Sequence, residues 1–260
     1  MNEENLINYY NKFNEDKRLE RRHGIVEFTT AIKYIEYYLS KMNNPKILDV
    51  GAGTGKYSIY LSDKGYDVTA VELVKHNLKT LQLKRPNIKS YQGNALNLKM
   101  FNDESFDLIL LFGPMYHLIS NEGKVKALKE AYRLLKKNGI IMISYLMNDY
   151  AVLKYGFIDN NIINSINNNM LDSKFHINSK ETDLYSYVRL EEINYIKKQS
   201  NLKRIKIISQ DGATDYMRKI VNNMSDEVFS EYIKYHLSIC ERKEMIGSSS
   251  HVLDILKKEA

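Results

Sequence analysis

The sequence predicts an α/β fold with a doubly wound, mostly parallel β-sheet. From Lys46 onwards, short apolar runs alternate with amphipathic stretches, which is the pattern of parallel strands and their crossover helices. The first run ends at Asp49 and leads directly into a glycine-rich loop, as is typical where a first strand enters its helix. The length of 260 residues suits one such domain with a modest cap, since single cores stop growing at roughly 250–300 residues.

Four parts follow one another along the chain. Residues 1–44 have apolar positions at steps of three or four and form an N-terminal helical cap. Residues 45–147 form the core, and residues 148–200 are polar and too long for a simple connection, so we expect an inserted lid. Residues 201–260 complete the sheet. The predicted strands are residues 47–50, 67–72, 88–91, 106–112, 140–145, 202–209 and 250–256, and a helix with Gly139 as its stop precedes the fifth.

Composition indicates a cytoplasmic globular protein. Charged residues make up 27% of the chain and apolar ones 43%, and no apolar run reaches the ~18 residues of a membrane helix. The N-terminus is polar and acidic, unlike a secretory signal, and Cys240 is the only cysteine, so no disulfide is expected. The 38 basic and 32 acidic residues give a charge of +6, which leaves an RNA partner open, although acids are interspersed among the basic residues. No pattern in the sequence indicates the oligomeric state.

The loop after the first strand, residues 49–55, reads DVGAGTG. Its alternating glycines allow a sharp turn and a close approach of a ligand to the backbone. A phosphate loop of the Walker type would need Gly at Val50 and Ser or Thr at Tyr57. A dinucleotide fingerprint would need a third glycine at Lys56. The remaining reading is a cofactor that carries an adenosine without a phosphate.

Glu72 ends the second strand, about 20 residues past the loop. A carboxylate at this place can accept hydrogen bonds from both hydroxyls of a ribose. The alternative is that the carboxylate has no ligand and only caps the next helix. The combination with the glycine loop favours the ribose.

These residues resemble a known family. Residues 47–61, Glu72, residues 93–95 and residues 106–118 occur in the order and spacing of class I S-adenosylmethionine-dependent methyltransferases. The resemblance implies S-adenosylmethionine as cofactor, S-adenosylhomocysteine as product, and seven strands of which the last is antiparallel. By this resemblance the cofactor-binding residues are Tyr10, Asp49, Gly51, Ala52, Gly53, Gly55, Glu72, Leu73, Asn94, Ala95 and Phe112. Asn94 departs from the more frequent Asp, so it would accept from the adenine amino group with less charge assistance.

Residues 113–118, GPMYHL, follow the fourth strand at the edge of the sheet where ligands bind in such folds. They resemble a stretch of a bacterial subgroup associated with small-molecule methylation. Tyr116 and His117 are therefore the candidates for the methyl-transfer site, with His117 either a base or only a structural hydrogen-bonding group. Gly113 cannot accept from an exocyclic base amine, and Cys240 lacks the Pro-Cys context of cytosine methylation, so both nucleic-acid chemistries are disfavoured.

His251, which opens the last strand, could reach the substrate pocket, but the preceding Gly-Ser-Ser-Ser favours a residue that finishes a turn. The six histidines show no paired metal-site spacing, so no metal is proposed. The leading hypothesis is a methyltransferase acting on O or N of a small molecule. An RNA methyltransferase is the alternative, and a non-enzymatic cofactor-binding regulator ranks third.

Overall fold

A twisted β-sheet forms the centre of the fold, with helices on both faces. The computed structural model describes residues 3–10 and 20–259, so parts of the predicted cap, residues 1–2 and 11–19, lie outside the described residues. The described strands are β1 (Lys46–Val50), β2 (Asp67–Glu72), β3 (Lys89–Gln92), β4 (Phe106–Leu111), β5 (Leu135–Met147), β6 (Tyr187–Val188), β7 (Leu202–Ser209) and β8 (His251–Lys258).

The helices connect these strands and flank the sheet. They are α1 (Glu3–Tyr10), α2 (Arg22–Leu39), α3 (Lys56–Asp63), α4 (Lys75–Lys84), α5 (Asn121–Leu134), α6 (Asn148–Ala151), α7 (Ile162–Asn167), α8 (Leu190–Lys198), α9 (Arg218–Asn222) and α10 (Asp226–Ile239). A π-helical segment (Val152–Ile158) follows α6, and single 3₁₀ turns lie at Pro114–Tyr116 and Lys243–Met245.

The strand order is β3-β2-β1-β4-β5-β8-β7. The first five of these strands run parallel, whereas β8 lies antiparallel between β5 and β7. The seven predicted strands make up this continuous sheet. The two-residue β6 is an eighth strand that the sequence did not reveal, and it pairs with the end of β5 at Leu146 and Met147. The order reverses between β1 and β4, which places a ligand crevice at their carboxyl ends.

Alternating side chains of the central strands build a hydrophobic core on each face. In β4, Leu108 and Leu110 point to the face covered by α2, while Ile109 and Leu111 point to the face covered by α5. All four side chains are fully buried, as expected for a parallel strand covered on both sides. The sheet is therefore a rigid support for the loops at its carboxyl edge.

The predicted end of the helix before β5 is wrong. Ser120 caps the N-terminus of helix α5, since its hydroxyl accepts from the Gly123 N–H at 3.1 Å, and the helix ends at Leu134 rather than at Gly139. The left-handed residue is Asn138, with φ 65°, and Gly139 already belongs to β5. A Cβ at Gly139 would lie 2.9 Å from the Asp107 carbonyl oxygen, so close strand packing is what requires glycine there.

The segment 148–200 contains two kinds of structure. Its first part, up to residue 189, holds the short helices α6 and α7 and several half-exposed apolar side chains, among them Phe157, Ile158 and Ile163. Its last part is α8, whose Ile193 and Ile196 are fully buried in the core beside α5. Any cover over the crevice is thus confined to the part before α8.

Candidate functional site

The glycine loop turns under the crevice at the carboxyl end of β1. The backbone N–H groups of Gly51 and Ala52 both donate to the Val71 carbonyl, at 2.8 and 3.1 Å, which ties the loop to β2. Gly51 has φ 75°, and a Cβ on it would lie 2.6 Å from Cδ of Pro114. Gly53 has φ 58°, and its missing Cβ would meet nothing within 4 Å. Gly51 is therefore required by the neighbouring loop, whereas Gly53 borders open space.

Glu72 lies at the end of β2 and reaches back to this loop. Its Oε2 accepts from the Gly53 N–H and its Oε1 from the Val74 N–H, both at 2.8 Å. The side chain is buried, and this burial raises the pKa of Glu72 to about 7 against the opposing backbone hydrogen bonds. The carboxyl group is held in one orientation by two elements at once.

Asp49 lies beneath the loop. It is buried, and its Oδ2 accepts a hydrogen bond of 2.6 Å from the Ser58 hydroxyl of α3. Burial raises the pKa of Asp49 to about 6. Asp49 thus connects the end of β1 with the first turns of the next helix.

These residues line one cleft, whose empty space, including its open mouth, measures about 980 Å³. Every residue predicted for the site lies on its wall except Gly55, which precedes α3 and faces Leu81. The predicted residues on the wall are Tyr10, Asp49, Gly51, Ala52, Gly53, Glu72, Leu73, Asn94, Ala95, Phe112, Tyr116 and His117. Asn94 also stabilises its own loop, because its Oδ1 accepts a hydrogen bond from the Leu96 N–H at 2.9 Å.

His117 lies between the N-terminal helix and the insertion. Its Nδ1 is 2.8 Å from the Leu184 carbonyl, so Nδ1 carries the proton of the neutral ring. The Tyr10 hydroxyl is 2.9 Å from Nε2 and therefore donates to it. Burial lowers the pKa of His117 to about 4, so the ring is neutral at pH 7. The ring stacks on Tyr185 at a centroid distance of 5.2 Å.

Three further polar residues lie close together near this end of the cleft, and of these the sequence analysis considered only His251. Glu27 of α2 is buried and lines the cleft. Atoms of Glu27, Asp211 and His251 that can bind a ligand lie within 4.8 Å of one another, the one group of metal-binding type found among residues 3–10 and 20–259. The Asp211 Oδ2 lies 2.7 Å from the His251 Nδ1. His251 therefore forms a hydrogen bond with a carboxylate and is more than the last residue of a turn.

Asp211 is held firmly in this group. Its Oδ1 accepts from the Ser249 hydroxyl at 2.9 Å and from the His251 N–H at 2.8 Å. The ring of His251 lies 6.3 Å from that of Tyr116, which lines the cleft. Glu27, Asp211 and His251 are far apart in the sequence, so no local pattern predicts that they meet. The only local sign was the Ser-rich stretch directly before His251.

Comparison with known proteins agrees with this geometry. Residues 48–143 match the family described as "Methyltransferase domain". A glycine/sarcosine N-methyltransferase of Aphanothece halophytica is 29% identical over 117 residues, 43% of this chain and 44% of that protein. A ubiquinone biosynthesis O-methyltransferase of Rickettsia typhi is 25% identical over 154 residues, 58% of this chain and 61% of that protein. The chain spans about half the length of these relatives.

Solved structures share the fold over nearly the whole chain. A methyltransferase of Thermotoga maritima, described as a possible histamine N-methyltransferase, superposes with a TM-score of 0.59 at 17% identity and covers 98% of this chain and 99% of that one. One from Archaeoglobus fulgidus gives a TM-score of 0.56 at 17% identity and covers 93% and 97%.

The fold is the Rossmann-like fold of these solved methyltransferases. Residues 48–143 match a methyltransferase domain, and the two solved structures that share the fold are described as S-adenosylmethionine-dependent methyltransferases. Among the residues that the structure describes, no helix is long and apolar enough to cross a membrane.

Proposed function

We propose that this protein transfers a methyl group from S-adenosylmethionine to oxygen or nitrogen of a small molecule. The observation that carries the proposal is that one cleft joins two different halves. Its cofactor half holds the glycine loop and Glu72, and its acceptor half holds Tyr10, Tyr116 and His117. Both halves lie at the carboxyl ends of the strands where the sheet order reverses.

The cofactor half fits an adenosine. Each oxygen of Glu72 receives one backbone N–H and retains a lone pair that can accept from a ribose hydroxyl. The space in front of Gly53 would be reduced by any side chain, so this glycine keeps a path open along the backbone. When bound, the cofactor supplies a methyl group on a sulfonium, from which it is readily displaced. Gly51, Gly53, Glu72 and Phe112 would hold it in this half.

The chain itself aligns the acceptor, excludes water and handles a proton. Tyr10 donates to His117, and His117 is fixed by the Leu184 carbonyl, so the pair forms a continuous hydrogen-bonded path. Because burial lowers the pKa of His117 to about 4, the ring orients the Tyr10 hydroxyl and is a weak base for a proton of the acceptor. Tyr116 and Tyr10 also present aromatic rings, which attract a cationic group.

The acceptor half is covered by two segments that act as a lid. Helix α1 meets the insertion 148–200 through the Asn5 amide, which donates to the Thr182 carbonyl at 3.2 Å, and through the rings of Tyr9 and Tyr185. Such a cover suits a small acceptor better than a nucleic-acid strand. Relatives named for glycine, sarcosine and ubiquinone biosynthesis support a small acceptor as well.

Calorimetry with S-adenosylmethionine and S-adenosylhomocysteine tests the cofactor half. Both ligands should bind, and Glu72→Ala should weaken binding by about 1.5–3 kcal/mol, the range for a charge-assisted hydrogen bond. Glu227→Ala, which removes an exposed carboxylate outside the cleft, serves as the matched control and should bind normally. Unchanged affinity in Glu72→Ala would remove Glu72 from the site.

Transfer of a labelled methyl group decides between small molecules and RNA. Label should enter the low-molecular-weight fraction of a cell extract and not its RNA. If RNA were the acceptor, its binding would weaken with salt by a log–log slope of about −0.7 per phosphate contacted. Tight, salt-sensitive RNA binding together with labelled RNA would overturn the small-molecule proposal.

A further inference from the structure

Lys124 is a buried lysine in the first turn of α5. It is 1% exposed, whereas Lys126 and Lys129 of the same helix are exposed. Its ammonium donates to the Ile119 carbonyl at 3.1 Å and to the Ser186 hydroxyl at 2.8 Å. Ser186 is also buried and belongs to the insertion. Lys124 therefore joins the loop after β4 to a segment that lies 62 positions further along the chain.

This position is unfavourable for a cation. Within the described part of the chain, no carboxylate forms an ion pair with Lys124, and Glu192 and Glu122 attract it only from farther away. Glu192 instead lies 2.9 Å from the Nε2 of His176. The first turn is also the positive end of the helix dipole. Burial outweighs the attraction of the two carboxylates and lowers the pKa of Lys124 to about 8. A lysine that costs stability in this way points to a functional role.

The lysine holds a short segment, residues 184–188, which we call the strap. The Leu184 carbonyl accepts from the Nδ1 of His117 at 2.8 Å, and the Ser186 N–H donates to the Tyr116 carbonyl at 2.8 Å. The aromatic ring between these two strap residues stacks on the His117 ring. The strap thus contacts both residues that the sequence analysis singled out for the methyl-transfer site.

We propose that Lys124 is a positioning residue, which fixes the strap and thereby the ring of His117 in the acceptor half of the cleft. The inference rests on the proposed function, because it takes His117 and Tyr10 as residues of that half. The contacts run from the ammonium to Ser186, along the strap to the Leu184 carbonyl, on to Nδ1 of His117, and from its Nε2 to the Tyr10 hydroxyl. Because each hydrogen bond orients the next group, losing the first contact should misplace the hydroxyl at the end.

Loss of the ammonium should release the strap without unfolding the sheet. The Ser186 hydroxyl would keep only the Ile119 carbonyl, which lies 3.5 Å away, at the limit of a hydrogen bond. The far end of the strap would stay in place, since Val188 is fully buried and pairs with Met147 of β5. Substitutions at position 124 can therefore be studied in the folded protein.

NMR of the histidine rings tests this positioning without any acceptor. The signals of His117 are those that His117→Gln removes. In the wild-type protein the ring should be neutral with its proton on Nδ1, and burial should keep its pKa at about 4. In Lys124→Met the ring should become exposed, so its pKa should rise towards the ordinary value of about 6.5. Lys126→Met, which removes an exposed lysine of the same helix, should leave the titration of His117 unchanged.

Two further variants assign the effect to the contact between the ammonium and the strap. Ser186→Ala removes the hydroxyl that accepts from Lys124, so it should shift the titration of His117 in the same direction. Combined with Lys124→Met it should add little, because both substitutions remove one interaction. Lys124→Arg keeps a cation with several N–H donors and should restore part of the wild-type titration.

Methyl transfer and unfolding separate positioning from stability. With labelled S-adenosylmethionine, Lys124→Met should transfer label into the low-molecular-weight fraction of the extract about tenfold more slowly or worse. Its affinity for S-adenosylhomocysteine should stay within a few-fold of the wild-type value. Its urea midpoint at pH 7 should be no lower than that of Lys126→Met, since methionine occupies the same space without burying a charge.

Three results would overturn the inference. They are an unchanged titration of His117 in Lys124→Met, additive effects of Lys124→Met and Ser186→Ala, and a lower urea midpoint of Lys124→Met together with normal methyl transfer. The last result would make Lys124 a purely structural residue. Failure of the wild-type protein to bind S-adenosylmethionine would instead remove the proposed function, whereas the link between Lys124 and His117 is measured by the titration alone.

Discussion

The buried carboxyl group of Glu72 is expected to couple cofactor binding to pH. It is 5% exposed, and the nearby Asp49 adds a second negative charge in the same low-dielectric region. The backbone N–H groups of Gly53 and Val74 favour the ionised form, but burial opposes it more strongly and brings the pKa of Glu72 to about 7. The carboxyl group is therefore half protonated near neutral pH in the free protein.

Cofactor affinity should consequently rise with pH. The ionised carboxylate can accept from two ribose hydroxyls, whereas the protonated form uses one oxygen as a donor, so binding favours loss of the proton. With a pKa of about 7, the affinity should be about tenfold lower at pH 6 than at pH 8. Calorimetry with S-adenosylhomocysteine at both pH values measures the change. Repeating it in buffers of different ionisation enthalpy measures the proton released.

Glu72→Gln provides the control for this pH dependence. It should bind weakly and with the same affinity at pH 6 and pH 8, because the titrating group is gone. A wild-type affinity that does not change over this range, or a pH dependence retained in Glu72→Gln, would contradict the assignment to Glu72.

At the scale of elements, the loops after β1 and β4 are fitted to each other. The positions of Gly51 and Pro114 leave no room for a side chain between them, and a Cβ on Gly113 would lie 3.0 Å from the Gly51 carbonyl oxygen. The cofactor half and the acceptor half of the cleft thus meet at this contact. Its geometry sets the distance between them.

Gly51→Ala should disrupt this contact, and Gly53→Ala is its matched control. Both glycines have positive φ, so alanine costs each variant about 1–2 kcal/mol of unfolding free energy. Gly51→Ala should lose about 1–3 kcal/mol more, since its Cβ collides with the rigid Pro114 ring 2.6 Å away. Urea denaturation of both variants measures the difference, and equal stabilities would mean that the loops separate without cost.

At the scale of the whole molecule, the proposed cover over the acceptor half joins two segments that are far apart in the sequence. Helix α1 is joined to the rest by the Asn5–Thr182 and Tyr10–His117 hydrogen bonds and by the rings around Tyr185. The insertion before α8 leaves large apolar side chains such as Phe157 and Ile163 exposed, at 53% and 67%. Segments that leave large apolar side chains exposed open more readily than the core.

Hydrogen exchange should therefore respond to ligands in these segments alone. Amides of residues 3–10 and 148–189 should exchange more slowly when the cofactor product and an acceptor are bound, because the lid then closes over them. Amides of α8 should not change, since Ile193 and Ile196 are already fully buried. Equal exchange in residues 148–189 with and without ligands would show that this cover is a static part of the fold.

Local patterns predicted the parts of the molecule that depend on neighbouring residues. The glycine loop, Glu72 at a strand end and the seven strands of the continuous sheet each leave a signal within a few residues, because turns and strand burial are local requirements. Strand β6 left none, because two residues carry no periodicity. The end of α5 was misplaced because Gly139 serves strand packing and not a helix stop.

What only the tertiary structure decided is the acceptor half of the cleft. Tyr10 and His117 are 107 positions apart and meet because α1 lies across the carboxyl edge of the sheet. Asp211 and His251 meet because β8 runs antiparallel beside β7, and Glu27 reaches them from α2. No spacing in the sequence encodes such contacts. The proposed cofactor half could be predicted from the sequence because one loop and the next strand build most of it, while the proposed acceptor half is assembled from distant segments by packing.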